Sequence, residues 1–185
     1  MIIMVNGSFA AGKTTTAELL VQRFYHSMLY DPEIVGLGLA AIVKPLETFT
    51  DFQDLTAWRP LVIETARVLK QVYGRTLVIP MTLWHRPYFE EITDGLRQID
   101  PHLFHFCLTA RKETLLKRLA QRRHEHTEQA LTWIQERFDP CIAAFASPVF
   151  AVHIPTDEKT PEEVVTEILA QMNAEEALYP NGESR

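Results

Sequence analysis

An α/β fold, a parallel sheet covered by helices on both faces, is what the sequence predicts, and three observations predict it. Short apolar runs of β type alternate with segments whose apolar residues recur at helical spacing along nearly the whole chain. This βαβα order makes parallel strands the economical arrangement, because each crossover helix returns the chain to the same end of the sheet. The first apolar run, Ile2-Ile3-Met4-Val5, leads directly into Gly7-Ser8-Phe9-Ala10-Ala11-Gly12-Lys13-Thr14, a complete G-x-x-x-x-G-K-[ST] loop of the kind that joins a strand to a helix. Finally, 185 residues at 46% hydrophobic and 23% charged make a globular chain long enough to bury a real core.

The elements follow in order. The β-type run over 2–5 is the first strand, and a helix over 13–24 carries Ala17, Leu19, Leu20, Val21 and Phe24 at helical spacing. A second strand occupies 27–30. Asp31-Pro32 then reads as a helix start, with the proline where its missing N–H costs nothing, and the helix runs over 33–43. A loop through 45–55 leads to a longer helix over 56–73, and strand three spans 76–81. A helix over 88–98, strand four over 103–108, an amphipathic helix over 113–123 and another over 128–145 come next. The last strand, 149–154, precedes a helix over 161–172 that opens on Pro161. One domain over 1–174, with a polar lid at about 122–130 and a flexible tail over 175–185, is the expected organisation.

The loop after strand one states a chemistry. A polyphosphate is held by a ring of backbone N–H groups, and Gly7 and Gly12 let the chain curl into that ring. Lys13 then reaches the β and γ phosphates, Thr14 offers a hydroxyl to Mg²⁺, and the helix that follows points the positive end of its dipole at the anion. The loop carries Phe9-Ala10-Ala11 where glycine or serine is more usual, a change that leaves backbone amides in place.

Composition excludes several classes. Eighteen Lys+Arg against 24 Asp+Glu give a net charge of −6, which argues against nucleic acid as the main partner. The two cysteines, Cys107 and Cys141, lie in apolar surroundings and read as buried thiols of a reducing compartment. The opening apolar stretch has no charged region before it and is too short for a signal peptide or a membrane span. A cytoplasmic location is expected.

In open parallel sheets the ligand lies beyond the carboxyl ends of the strands. Strand two ends in Tyr30-Asp31-Pro32-Glu33, two carboxylates that can take the proton of a hydroxyl and hold Mg²⁺ through a water. Asp31 is equally a helix N-cap, and the two roles are compatible. Strand three is followed by Thr82, Trp84, His85 and Arg86 with no carboxylate, so the usual second acid for Mg²⁺ is missing there. His85 and Arg86 suit an acceptor pocket or an ordinary surface. Arg118 and Arg122, four apart on one helix face, stand at the root of the lid, where positive charge stabilises a transferring phosphoryl group or simply complements the helix dipole. His124 and His126 have no third ligand in view, and no metal role is assigned to them.

The phosphate loop, the D-x-[DE] after strand two, Leu115-Leu116-Lys117-Arg118-Leu119 leading to the lid, and Ile154-Pro155-Thr156-Asp157 before the terminal helix together resemble the nucleoside, shikimate and antibiotic kinase branch of P-loop proteins. More narrowly the chain is similar to the tunicamycin resistance protein family, over about residues 1–172. That match rests on Tyr30-Asp31-Pro32-Glu33, Asp51-Phe52-Gln53, Trp58-Arg59, Val78-Ile79-Pro80-Met81-Thr82, Tyr88-Phe89, Lys112 to Leu119 and Ser147-Pro148-Val149-Phe150. The resemblance implies a P-loop NTPase with a five-stranded parallel sheet of order 2-3-1-4-5, a nucleoside-kinase-like lid, ATP and Mg²⁺ as cofactors, and a role in resistance to a uridine-containing glycolipid antibiotic. Carried over residue by residue, Gly7, Ser8, Phe9, Ala10, Ala11, Gly12, Lys13, Thr14 and Thr15 would hold the ATP phosphates. Arg118 and Arg122 would serve adenine and phosphates, Thr156 and Asp157 the adenine edge, and Thr14 with Asp31 the metal. Lys13, Asp31 and Arg122 would be catalytic, Asp31 as the base.

Glu33, Phe52, Trp58, Arg59, Thr82 and Arg86 are the candidates for the acceptor pocket, since an aromatic face and a guanidinium suit a nucleobase or sugar. Trp58 reads equally well as a core anchor. Some family members continue into a longer basic amphipathic segment; this sequence stops after Ala177-Leu178-Tyr179-Pro180-Asn181-Gly182-Glu183-Ser184-Arg185, and stable membrane attachment is not expected. Three activities share these motifs: a phosphotransferase acting on a nucleoside-like drug, a nucleotide-dependent protein that sequesters the drug unmodified, and a housekeeping nucleoside or metabolite kinase.

Overall fold

The computed structural model describes residues 1–125, 127–150 and 152–178. Five strands, β1 (Ile2–Gly7), β2 (Ser27–Leu29), β3 (Thr76–Met81), β4 (Leu103–Thr109) and β5 (Val152–Pro155), form one sheet in the order β2-β3-β1-β4-β5. Every neighbouring pair is parallel; Ile3 stands opposite Val78 on one side and Phe104 on the other. β1 is central and buried along its whole length, as its unbroken apolar run requires.

Alternation along β1 divides the interior in two. Ile2 and Met4 face a core with Trp58, Val62, Ile92 and Phe150, whereas Ile3 and Val5 face one with Ala17, Leu20, Val165 and Ile168. The first core is closed by α3 (Trp58–Tyr73) and α4 (Arg86–Ile99), the second by α1 (Lys13–Arg23) and α7 (Pro161–Leu178). α2 (Pro32–Val43) lies against α3, α5 (Lys112–Gln121) adds Leu115 to the second core, and α6 (Glu128–Phe145) spans both, with Ile134 and Phe138 in one and Cys141 and Phe145 in the other. Burial pushes the Cys107 thiol up to about 12 and that of Cys141 up to about 11, so both act as small apolar side chains.

Two boundaries differ from expectation by more than two residues. The last strand begins at Val152, because Pro148–Phe150 forms a 3₁₀ turn that sinks Phe150 between Phe89 and Phe145, each ring centroid 5.0 Å away. The C-terminal helix continues through Leu178, past the expected start of the tail; residues 179–185 lie outside the described residues. Within the segment expected as a lid, Arg123–Glu125 is a 3₁₀ turn and α6 follows, while His126 lies outside the described residues. No described helix is long and apolar enough to cross a membrane.

His105 on β4 is buried against Phe89, ring centroids 4.8 Å apart, and both its ring nitrogens lack a hydrogen-bond partner among the described residues. Burial, with smaller contributions from Arg97 and His153, depresses its pKa from 6.5 to about 3. The unfolded chain therefore binds a proton near pH 6.5 that the folded one refuses, so stability is intact above that pH and drains away as pH falls towards 3. Urea unfolding at pH 7 and pH 5 should show a loss of about 2 kcal/mol in the wild type that His105→Leu largely removes. An equal loss in both proteins would refute this.

Candidate functional site

The phosphate loop leaves the end of β1 through three residues with positive φ: Gly7 (146°), Ala10 (58°) and Gly12 (98°). At Gly7 the requirement is absolute, since a Cβ there would sit 2.5 Å from the Leu108 carbonyl oxygen. Ala10 pays roughly 1–2 kcal/mol for its left-handed conformation, a local strain typical of ligand loops. Asn6, fully buried, fixes the loop: its Oδ1 accepts from Gly7 N and Leu83 N, each at 2.9 Å, and its Nδ2 donates to Leu83 O at 3.0 Å. The start of the phosphate loop and the segment after β3 are thus pinned to one amide.

Lys13, half-buried at the start of α1, reaches back to donate to Ser8 O at 2.8 Å. Burial lowers its pKa while the nearby Glu33 carboxylate opposes that shift. Glu33 is affected in the mirror sense. It stands in a concave wall open to solvent, where surrounding protein raises its carboxyl pKa, Lys13 pulls it down, and Asp31 and Asp51 push it further up. The two form an opposed pair at the mouth of the loop.

Two cavities lie about the phosphate loop, and the pair lines the larger of them. The smaller, about 250 Å³, lies between the phosphate loop and α7 and is lined by Thr15, Arg118, Arg122, Thr156 and Lys159. Arg118 is held there by Thr156, donating to its carbonyl at 2.6 Å and its Oγ1 at 3.0 Å. Asp157 does not line it. Its Oδ1 accepts from Thr114 Oγ1 (2.7 Å), Arg111 N (2.9 Å) and Arg111 Nε (3.1 Å) at the start of α5, and these donors, Thr114 foremost, hold its carboxyl below the usual range.

The larger cavity, about 530 Å³, has Lys13, Thr14 and Arg122 in its wall together with Glu33, Phe52 and Thr82 of the acceptor candidates. Four other candidates are elsewhere. Asp31 is the N-cap of α2, its Oδ1 accepting Glu33 N at 2.9 Å, and it does not line the cavity. Trp58 is wholly buried, its Nε1 donating to Pro32 O at 3.2 Å and its ring edge-on to Phe52; of its two readings, core anchor is the one the structure supports. Arg59 is turned onto α4, bonded to Glu91 at 2.5 Å and lying over the Tyr88 ring at 4.2 Å. Arg86 is exposed and paired with Glu90 at 2.7 Å.

Sequence reasoning missed Asp51, Gln53, Trp84 and Trp133 as wall residues. Trp133 leans edge-on against Phe9 with centroids 5.6 Å apart, donates to Thr50 O at 2.9 Å, and carries Arg137 over its face at 4.5 Å. An indole four residues before an arginine, beside a polar helix face, was the available signal. Asp51 was legible as a cap, its Oδ1 accepting Gln53 N at 2.9 Å.

The AAA domain family matches residues 2–148. Among solved structures, a tunicamycin resistance protein from Deinococcus radiodurans superposes with a TM-score of 0.75 at 23% identity, over 93% of this chain and 95% of that one. A gluconokinase from Sinorhizobium meliloti gives 0.66 at 18%, over 98% and 97%, and a shikimate kinase from Acinetobacter baumannii in complex with shikimate gives 0.61 at 14%, over 94% and 93%. At these identities the likeness is one of fold, the P-loop kinase-like α/β sandwich. No curated protein matches the sequence.

Proposed function

The chain belongs to the AAA domain family, and on that premise we propose that it is an ATP-dependent phosphotransferase acting on a hydroxyl of a small molecule, with Mg²⁺, in the cytoplasm. The observation that carries this reading is that Lys13 and Glu33 line one cavity and each shifts the other's pKa: a cation for phosphate and a carboxylate for a hydroxyl in the same wall. A positive-φ loop whose amides form a cradle, a lysine free to leave Ser8 O, and a hydroxyl at Thr14 suit ATP·Mg²⁺. Bound Mg²⁺ would supply neutralisation of the β- and γ-phosphate oxygens.

In this reading Lys13 and Arg122 face the transferring phosphoryl group, and Arg118 with Thr156 lines the nucleotide side. Glu33 accepts the proton of the acceptor hydroxyl as its oxygen bonds to the γ-phosphorus and the bond to ADP breaks. Asp31, the base expected from sequence, keeps its second oxygen for a metal-bound water while the first caps α2. The resemblance to the tunicamycin resistance protein family supports including a nucleoside-containing drug of tunicamycin type among the proposed acceptors. Mass spectrometry of tunicamycin and a nucleoside panel after incubation with the protein, ATP and Mg²⁺, beside Lys13→Ala, tests this. A phosphate mass added only by the intact protein is expected; a drug that binds unmodified would replace the proposal with sequestration.

A further inference from the structure

The walls of the larger cavity define the acceptor, given the phosphotransfer reading above. Its wall carries the aromatic side chains of Phe9, Phe49, Phe52, Trp84 and Trp133 together with a set of oxygen acceptors. Gln53 is only 8% exposed, and its Nε2 donates to Thr82 O at 3.0 Å. That bond sets the orientation of the amide, since only the nitrogen can donate to a carbonyl, and leaves Oε1 with no donor among the described residues. Thr82, 7% exposed, lines the same cavity, and its hydroxyl likewise has no partner among them. Asp51 adds a third oxygen: Oδ1 is taken by Gln53 N, while the cation nearest Oδ2 is Arg137, at 3.9 Å. These oxygens open on the cavity with no donor from the described residues, so they are available to donors from a ligand.

Charge narrows the choice. Arg122 in this wall also lines the nucleotide-side cavity and is assigned with Lys13 to phosphate, while the arginines nearby are engaged by the protein: Arg59 by Glu91, Arg86 by Glu90, and Arg137 by Trp133, Asp51 and Glu136. Lys13 stands at the phosphate end, and Glu33 and Asp51 would repel a carboxylate. We propose that the acceptor is an uncharged ring compound with apolar faces and hydrogen-bond donors along one edge, the faces resting on the aromatic walls and the edge on Gln53 Oε1 and Thr82. Sugar acids such as gluconate and shikimate, each a carboxylate at neutral pH, are rejected.

Two sources present this chemistry, nucleosides and neutral glycosides, and the experiment separates them. Calorimetric titration of the full chain, loaded with a non-hydrolysable ATP analogue and Mg²⁺, would use uridine, methyl glucoside, gluconate and shikimate, with phosphate transfer from ATP followed in parallel by mass spectrometry. A neutral ring should bind and both acids fail, and uridine or the glucoside binding alone names the source. Gln53→Leu should weaken the neutral ligand about tenfold with nucleotide affinity unchanged, and Thr82→Val, the safer variant for folding, should weaken it several-fold. An acid bound as tightly as the neutral rings, no binding by either neutral class, or indifference to both variants overturns the inference. Neutral-ring binding that depends on Gln53 but is never followed by phosphate transfer would uphold it while removing the phosphotransfer reading; an acid phosphorylated efficiently would do the reverse.

Discussion

Lys13→Ala is expected to lower phosphoryl transfer by about 10²–10³-fold, the scale on which removal of one preorganised electrostatic contact acts on a transition state. The side chain is half-buried, held against Ser8 O at 2.8 Å and balanced by Glu33, so the cation is in place before nucleotide arrives and costs little reorganisation. Its removal has a second signature. Glu33 loses the influence that lowers its carboxyl pKa, leaving burial, Asp31 and Asp51, all of which raise it. Titration of the Glu33 carboxyl by NMR should therefore move to higher pH in the variant. Initial rates within threefold of wild type, or an unmoved titration, would contradict the role given to Lys13.

Glu33→Gln should reduce turnover by about 10²–10⁴-fold, the usual contribution of a general base, with nucleotide affinity nearly unchanged. The wild-type rate should fall on the acid side as Glu33 protonates, at a pH above the ordinary glutamate range because burial favours the neutral acid. Asp31→Asn is the companion measurement. Asparagine caps a helix as well as aspartate, so the fold is unaffected and any loss reports a role at the metal or in proton transfer. A large loss at Asp31→Asn with little at Glu33→Gln would return the base to Asp31.

That pair illustrates what the sequence could and could not reveal. Tyr30-Asp31-Pro32-Glu33 announced carboxylates at the end of β2, but residues two apart at a helix start point in very different directions, and only the cap bond from Glu33 N to Asp31 decides which faces the cavity. The phosphate loop was fully legible because its chemistry is local, carried by backbone and spacing. β3 and α6 have the limits expected of them, each a long unambiguous pattern. β5 was placed too early because Val149 and Phe150 are as apolar as the strand itself, and the 3₁₀ turn that buries Phe150 depends on Phe89 and Phe145, distant in sequence. Trp58 and Arg59 show the same limit: an indole in a core and an indole in a pocket wall read alike, and Arg59 is captured by Glu91 on another helix.

The buried amide of Asn6 has a consequence for redesign. Because it joins Gly7 to Leu83, the phosphate loop and the segment between Thr82 and Trp84 in the wall of the larger cavity share a single fixed point on the central strand. The stretch carrying Phe49, Asp51, Phe52 and Gln53 stands outside that frame, meeting it through the bond from Gln53 to Thr82 O. Exchanging that stretch for one of different chemistry is accordingly a change of cargo, with the alignment machinery left untouched.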